Sequence, residues 1–142
     1  MITVLPARLH GCEIDASDCP DLVPVLSVAA AVAEGTTHII HAGRLRIKEC
    51  DRLAAMCSEL TKLGADITEE PEGLLIKGKP EGLKGGAVAD AWNDHRIAMS
   101  MAVAALSCKE PVTLTGGESV SKSYPEFWND YASVGGKAEE LR

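Results

Sequence analysis

The chain has 142 residues, of which 46% are hydrophobic and 25% charged, with a formal net charge of −7. This length predicts one domain with a sizeable core, and the composition excludes an intrinsically disordered chain. The negative charge argues against sequence-independent binding to nucleic acid, and no apolar run reaches the length of a membrane span. Because no signal peptide is visible at Met1, a cytoplasmic protein is expected.

Cofactor motifs are absent from the sequence. The five cysteines include no C-x-x-C pair and the four histidines show no ligand pattern, so neither a disulfide framework nor a zinc site is indicated. Reduced thiols are the expected state. The glycine-rich motifs that bind ATP phosphates or dinucleotides are also missing.

The first half of the chain predicts the order β-α-β-α-β-β. Strands are expected at residues 9–14, 36–41, 65–69 and 74–77, and helices at 18–34 and 47–63. Pro20 suits the first turn of the first helix, and Gly64 suits the C-cap of the second. Pro71-Glu72-Gly73 predicts a hairpin loop between the last two strands.

The second half restarts this order. Strands are expected at 86–91 and 112–115, helices at 94–108 and 124–134, and a further strand could begin at 137–141. The similarity indicates an internal repeat of about 70 to 75 residues, in which Asp21 corresponds to Asp94 and Lys48 to Lys122. The prediction is one partial α/β domain over 1–142, with a first unit at 9–78 and an incomplete second unit at 84–142. An ordinary α/β domain with coincidental similarity is the alternative.

The stretch Asp18-Cys19-Pro20-Asp21 precedes the first predicted helix. Its structural interpretation is an N-cap with acids that complement the helix dipole. That interpretation explains one of the two acids better than it explains both. Asp21 could instead accept a proton from a substrate hydroxyl held against it.

The stretch from Arg44 to Arg52 places cations at the start of the second predicted helix. Lys48 and Arg52 are like charges four residues apart, a spacing that destabilises an isolated helix. Cations are also unfavourable at a helix N-terminus, where the dipole is positive. A solvated helix start is the simple interpretation, and a phosphate or carboxylate site is the alternative that the two misplaced cations favour.

The stretch Asn93-Asp94-His95-Arg96 opens the third predicted helix. Asn93 or Asp94 suits the N-cap, but the dipole disfavours Arg96 in the first turn. Because helix starts of repeated units collect on one side of an α/β layer, a pocket for phosphorylated or carboxylated ligands is expected. Its cations would be Lys48, Arg52, Arg96 and Lys122. The acids available beside them for proton transfer are Asp21, Glu49 and Asp94.

Four motifs, in this order, resemble the 5-enolpyruvylshikimate-3-phosphate (EPSP) synthase family: P-D-L-V-P-V-L, R-L-R-I-K-E-C-D-R-L, W-N-D-H-R-I-A-M and S-K-S-Y-P-E-F-W. The resemblance runs from about residue 9 to 136. It implies transfer of the enolpyruvyl group of phosphoenolpyruvate to the 5-hydroxyl of shikimate 3-phosphate, with release of phosphate and without metal or organic cofactor. This reaction serves chorismate and aromatic amino acid biosynthesis.

The resemblance also implies an architecture and a longer enzyme. Each of the family's two domains is an inside-out barrel of repeated β-α-β-α-β-β units, and the active site lies in the cleft between the domains. This chain would contribute about two units from the C-terminal part. The family's N-terminal phosphoenolpyruvate and shikimate-phosphate motifs have no counterpart in these residues, so the chain alone is expected to be inactive. Its partners would be the two substrates and the remainder of the enzyme.

The matching motifs imply a role for each predicted site residue. Three would serve proton transfer: Asp21 as base for the 5-hydroxyl, Lys48 as the group that holds this hydroxyl, and Glu49 at the methylene carbon. Five would bind the phosphate and carboxylate of phosphoenolpyruvate or line that wall: Arg52, Arg96 and Lys122, with Asp94 and His95. Two alternatives are the related transferase that acts on UDP-N-acetylglucosamine, which fits N-D-H-R and K-S-Y-P poorly, and a non-catalytic anion-binding or scaffold domain.

Overall fold

The first half of the chain has the predicted β-α-β-α-β-β order in the computed structural model, which describes residues 1–141. Its elements are β1 (Glu13–Asp15), α1 (Val23–Ala31), β2 (Thr36–Ile40), α2 (Arg52–Lys62), β3 (Asp66–Glu70) and β4 (Gly73–Lys77). The four strands form one sheet in the order β1-β2-β4-β3. β1 is parallel to β2, whereas β4 is antiparallel to β2 and β3.

The second half contains more strand pairing than the sequence predicted. Its elements are β5 (Leu83–Gly85), β6 (Val88–Asp90), α3 (His95–Ala105), β7 (Cys108–Glu110), β8 (Thr113–Thr115) and α4 (Phe127–Ser133). β5 pairs in parallel with β7, and β6 with β8. The predicted helix 94–108 therefore ends too late, since Cys108 already pairs with Leu83. The strand expected at 137–141 is wrong, because these residues have no strand partner within 1–141.

Three helices begin later than predicted. α1 follows a 3-10 turn at Pro20–Leu22, α2 follows one at Gly43–Ile47, and α4 begins two residues after Pro125. Asp51 caps α2 by accepting a hydrogen bond from the Ala54 N–H at 3.0 Å. Lys48 lies before this cap in an extended conformation. The predicted like-charge repulsion between Lys48 and Arg52 along one helix is therefore wrong.

The two halves repeat with an offset of 75 positions. Glu13 pairs with His38 in the first half, and Val88 pairs with Thr113 in the second (13 to 88 and 38 to 113). The predicted period of about 70 to 75 residues is therefore present in the backbone. The limits of the two units, 9–78 and 84–142, stay a prediction.

The turns after β1 and β6 repeat at the same offset. The Cys19 N–H donates to the Ala16 carbonyl, and the Asp94 N–H donates to the Ala91 carbonyl. Asp94 is thus equivalent to Cys19, and the predicted equivalence of Asp94 with Asp21 is wrong by two positions. At this offset Asp21 is equivalent to Arg96 (21 to 96).

The core lies where α1 and α2 pack on the four-stranded sheet and α3 packs against these two helices. Its large, fully buried side chains include Ile39, Leu74, Ile76, Met56, Leu60, Ile97 and Met101. Each such side chain contributes about 1.5–3 kcal/mol through removal of apolar surface from water. A smaller cluster around Phe127 and Tyr131 packs α4 against α3. No helix among residues 1–141 is long and apolar enough to cross a membrane.

Candidate active site

The guanidinium of Arg52 is the centre of the site. Arg52 begins α2, and its side chain is 1% exposed. Its Nε and Nη2 donate to the two carboxylate oxygens of Asp94 at 2.8 and 3.2 Å. Nη1 donates to Asp21 Oδ1 at 3.0 Å, and Nη2 also donates to Glu49 Oε2 at 2.7 Å. Four hydrogen bonds from a group with five N–H donors leave Arg52 almost fully paired with carboxylates.

The three carboxylates come from three segments that precede helices. Asp21 lies in the 3-10 turn before α1, Glu49 in the loop before α2, and Asp94 at the N-cap of α3. Asp94 Oδ1 also accepts from the Arg96 N–H at 2.8 Å, so the predicted cap is present. Arg52, at the start of α2, therefore binds acids from the starts of α1 and α3 as well as Glu49 from its own segment.

Asp21 faces three cations at a position open to solvent. Besides the bond from Arg52, its Oδ1 lies 3.5 Å from Lys48 Nζ, and its Oδ2 lies 3.9 Å from Arg96 Nη2. Arg96 Nη1 also donates to the main-chain oxygen of Asp21 at 3.3 Å. The side chains of Asp21, Lys48 and Arg96 are 45%, 31% and 38% exposed. A ligand can thus reach this carboxylate and two of its cations without opening the core.

Lys122 is connected to this cluster of charged side chains by its hydrogen bonds to Asn93. It ends the 3-10 turn at Gly117–Lys122, and its ammonium donates to the main-chain oxygen of Asn93 and to Asn93 Oδ1. Asn93 directly precedes Asp94, so Lys122 is held beside the ion cluster. The neighbouring His95 is 9% exposed, and its Nδ1 has no hydrogen-bond partner among residues 1–141.

Arg52 and Asp94 are both held in their ionised forms. Burial raises the pKa of Asp94, but hydrogen bonds from Arg52 and from the Arg96 N–H outweigh it, so this pKa lies below its usual value. Burial lowers the pKa of Arg52, and the bond to Asp94 and the nearby acids reverse this, so the pKa is raised. Cys50 donates its thiol to Asp94 Oδ2 at 3.5 Å. Burial and the charge of Asp94 raise the pKa of Cys50 to about 12, which rules the thiol out as a nucleophile near neutral pH.

Sequence reasoning missed three contributors to this site: Cys50, Glu59 and Trp92. Cys50 contacts Asp94, and Glu59 and Trp92 support the turn before it. The sequence does carry an indication for Glu59, because it lies three residues after Met56 on the apolar face of α2 and must therefore find a buried partner. Nothing local distinguishes Cys50 or Trp92 from ordinary core residues.

The arrangement suits acid–base chemistry beside an anion. An accessible carboxylate with three cations around it can take a proton from a hydroxyl, and the free donors of the exposed cations can hold phosphate or carboxylate. Within the described part of the chain, no three His, Cys, Asp or Glu side chains are arranged to hold a metal ion. The acids are instead gathered by a guanidinium.

Comparison with known proteins identifies the family. Residues 1–131 match the EPSP synthase family (3-phosphoshikimate 1-carboxyvinyltransferase). The chain is similar to the 3-phosphoshikimate 1-carboxyvinyltransferases of Clostridium novyi (strain NT) and Clostridium acetobutylicum, with 60% and 63% identity over 134 residues. Each alignment covers 94% of this chain, but only 30% and 31% of the relative.

Solved structures show the same likeness. EPSP synthase from Acinetobacter baumannii aligns with a TM-score of 0.87 and 34% identity, over 95% of this chain and 32% of that chain. The enolpyruvyl transferase NikO from Streptomyces tendae aligns with a TM-score of 0.73 and 25% identity, over 94% of this chain and 30% of that one. The fold is therefore that of the enolpyruvyl transferases. Within this class the chain belongs to the EPSP synthase family, and it spans about 30% of the length of the curated relatives it matches.

Proposed function

We propose that this chain supplies part of the active site of a 3-phosphoshikimate 1-carboxyvinyltransferase. Such an enzyme transfers the enolpyruvyl group of phosphoenolpyruvate to the 5-hydroxyl of shikimate 3-phosphate and releases phosphate. The observation that carries the proposal is the accessible Asp21 carboxylate, which lies within 3.9 Å of cationic groups of Lys48, Arg52 and Arg96. Family membership supplies the identity of the reaction.

Asp21 is the proposed base for the 5-hydroxyl. Its side chain is 45% exposed, which leaves room for a hydroxyl to approach. Lys48 Nζ, 3.5 Å from Asp21 Oδ1, is placed to donate to the same hydroxyl oxygen as its proton leaves. The pair thus combines proton removal with stabilisation of the charge that develops on oxygen.

Glu49 is the proposed proton donor to carbon. As the hydroxyl oxygen bonds to the phosphate-bearing carbon of phosphoenolpyruvate, the methylene carbon must take up a proton. Loss of phosphate then breaks the carbon–oxygen bond, and the new methyl group gives a proton back to restore the double bond. Glu49 is 43% exposed and is anchored by Arg52 at 2.7 Å, so one carboxyl group can serve both steps from a fixed position.

Arg96 and Lys122 are the proposed ligands of the phosphate and carboxylate of phosphoenolpyruvate, with Asp94 and His95 in the same wall. Both cations are accessible and neither is saturated by carboxylates. The sequence predicted Arg52 as a third ligand, but its donors are taken by acids and its side chain is buried. In the proposal Arg52 orients Asp21 and Glu49 and makes the electrostatic potential of the site more positive. It would contact substrate only if one of these acids moved away.

The proposal includes the rest of the enzyme as a partner. The chain corresponds to about 30% of its relatives, so a complete cleft requires additional residues. We also propose a cytoplasmic location, in keeping with a reaction between two phosphorylated metabolites.

A chimera tests the proposal directly. The 134 residues of this chain that align with the Clostridium novyi enzyme would replace the corresponding segment of that enzyme. We expect phosphate release from phosphoenolpyruvate and shikimate 3-phosphate, and a loss of about 10²- to 10⁴-fold in kcat on Asp21→Asn. The control is Asp18→Asn, an exposed acid three residues earlier with no bond to Arg52. A folded chimera that is inactive, or that tolerates Asp21→Asn, would overturn the proposal.

A further inference from the structure

Helix α2 carries two buried charges, and both are directed to the same turn. Arg52 and Glu59 are seven residues apart, which places them on one face two turns apart, and each side chain is 1% exposed. Arg52 binds the carboxylate of Asp94, and Glu59 binds the segment four residues earlier. Residues 90–94 are thus attached at both ends to one rigid helix.

Glu59 holds the beginning of this turn through two hydrogen bonds. Its Oε2 accepts from the main-chain N–H of Asp90 at 2.9 Å, and its Oε1 accepts from the Trp92 indole Nε1–H at 2.8 Å. Lys62 Nζ lies 2.8 and 2.9 Å from the two oxygens. Burial raises the pKa of Glu59, but the bonds from Lys62 and Trp92 outweigh it and leave this pKa below its usual value. The carboxylate is therefore charged, buried and fully paired.

The turn that Glu59 supports has an unusual backbone. Trp92 and Asn93 both have φ of 52°, in the left-handed region that side chains other than glycine rarely adopt. Such conformations persist only where the surroundings determine them, and they gather at functional sites. Asn93, within this turn, accepts a hydrogen bond from Lys122, and Asp94, at its end, accepts hydrogen bonds from Arg52.

We propose that Glu59 is a positioning residue for the active site. By fixing Asp90 and Trp92 from behind, it maintains the left-handed turn and thereby sets where Asp94 meets Arg52 and where Asn93 holds Lys122. The effect on ligand binding rests on the proposed function, whereas the effect on the turn does not.

Two variants test this role in the 142-residue chain. Trp92→Phe keeps an aromatic ring and removes the indole donor to Glu59, together with part of the ring volume that packs on the core. Glu59→Gln keeps the shape of the side chain but can no longer accept both bonds. The control is Tyr131→Phe, which removes another buried hydrogen bond, from the tyrosine hydroxyl to the Ala102 carbonyl. All three would be compared by NMR for hydrogen exchange of the Arg52 Nε–H and by titration with inorganic phosphate.

In both Glu59-directed variants we expect the Arg52 Nε–H to exchange roughly two- to tenfold faster and the Asn93 amide to shift, which corresponds to the loss of one hydrogen bond. Phosphate affinity should fall by a similar factor, while Tyr131→Phe changes neither property. Unchanged exchange at Arg52 and an unchanged Asn93 amide in Trp92→Phe would overturn the proposal, even if Glu59→Gln did not fold. Absence of phosphate binding by the unaltered chain would count against the proposed anion site alone, because the exchange measurement still decides the role of Glu59.

Discussion

Arg52 and Asp94 form a buried ion pair with two hydrogen bonds, Nε to Oδ2 at 2.8 Å and Nη2 to Oδ1 at 3.2 Å. Arg52 begins α2 and Asp94 caps α3, so the pair joins the starts of two helices. Removing two charges from water costs free energy comparable to what their attraction returns. The pair therefore defines the arrangement of the site more than it adds to the stability of the fold.

Breaking this pair from one side should destabilise the chain strongly. Asp94→Ala leaves the Arg52 guanidinium buried without its main partner, and we expect the free energy of unfolding to fall by about 3–5 kcal/mol. The free energy of unfolding is measured by urea denaturation, with circular dichroism as the probe. Asp66→Ala removes an exposed acid and should change the free energy by less than about 0.5 kcal/mol. Equal effects of the two substitutions would show that the buried pair is not structurally important.

Arg96→Ala should weaken the interaction with the substrate anion while the fold persists. In the chimera with the Clostridium novyi enzyme, we expect kcat/KM for phosphoenolpyruvate to fall by about 10²- to 10³-fold, because a charged donor at the reacting group is lost. Steady-state kinetics gives the value, and a thermal melt checks the fold. Lys77→Ala, which removes an exposed cation on β4, should leave kcat/KM unchanged. Near-normal kinetics for Arg96→Ala would mean that the stretch Asn93-Asp94-His95-Arg96 serves only as a helix cap and does not bind substrate.

Stability should decline at acid pH through Asp94. Its pKa is lower in the folded chain than the ordinary value of 3.8, so the folded protein binds this proton less readily than the unfolded chain does. The contribution of Asp94 is therefore fully present above about pH 5 and is lost as the pH falls below 3.8 through the folded-state value.

Urea unfolding between about pH 5 and pH 3 checks this dependence. The free energy of unfolding should fall less steeply in Asp94→Asn than in the parent chain. Asp66→Asn, at an exposed position, should keep the parent slope. An Asp94→Asn slope identical to that of the parent would be inconsistent with an ionised, buried Asp94.

Cys50 should be chemically inert. The pKa of its thiol is raised to about 12 by burial and by Asp94, so almost no thiolate forms near pH 8. Cys12 is exposed and serves as the internal reference. Alkylation with iodoacetamide followed by peptide mass spectrometry should show Cys50 reacting more than about tenfold more slowly than Cys12. Comparable rates would mean that the region around Asp94 opens readily in solution.

Much of the fold follows from local patterns in the sequence. The β-branched run at residues 36–40, the loop around Gly73 and the apolar stripe of α2 predict their elements because each depends on neighbours a few positions away. β5 and β7 could not be predicted in this way, since neither contains a β-branched residue and each exists through pairing with the other. The late start of α2 is different, because the Asp51 cap is a local contact with Ala54, and an aspartate at that place is a helix-start signal that the sequence does carry.

The sequence by itself also determined which residue types meet at the site, because acids and misplaced cations at helix starts are visible along the chain. Only the tertiary structure decided which of these cations is buried and paired and which is accessible to a ligand. Arg52 is buried and paired with three carboxylates, whereas Arg96 stays accessible. The two look alike in sequence, and both lie in a first helical turn. Burial depends on what packs over a side chain, which for Arg52 is a cap 42 positions away, and no local pattern encodes that contact.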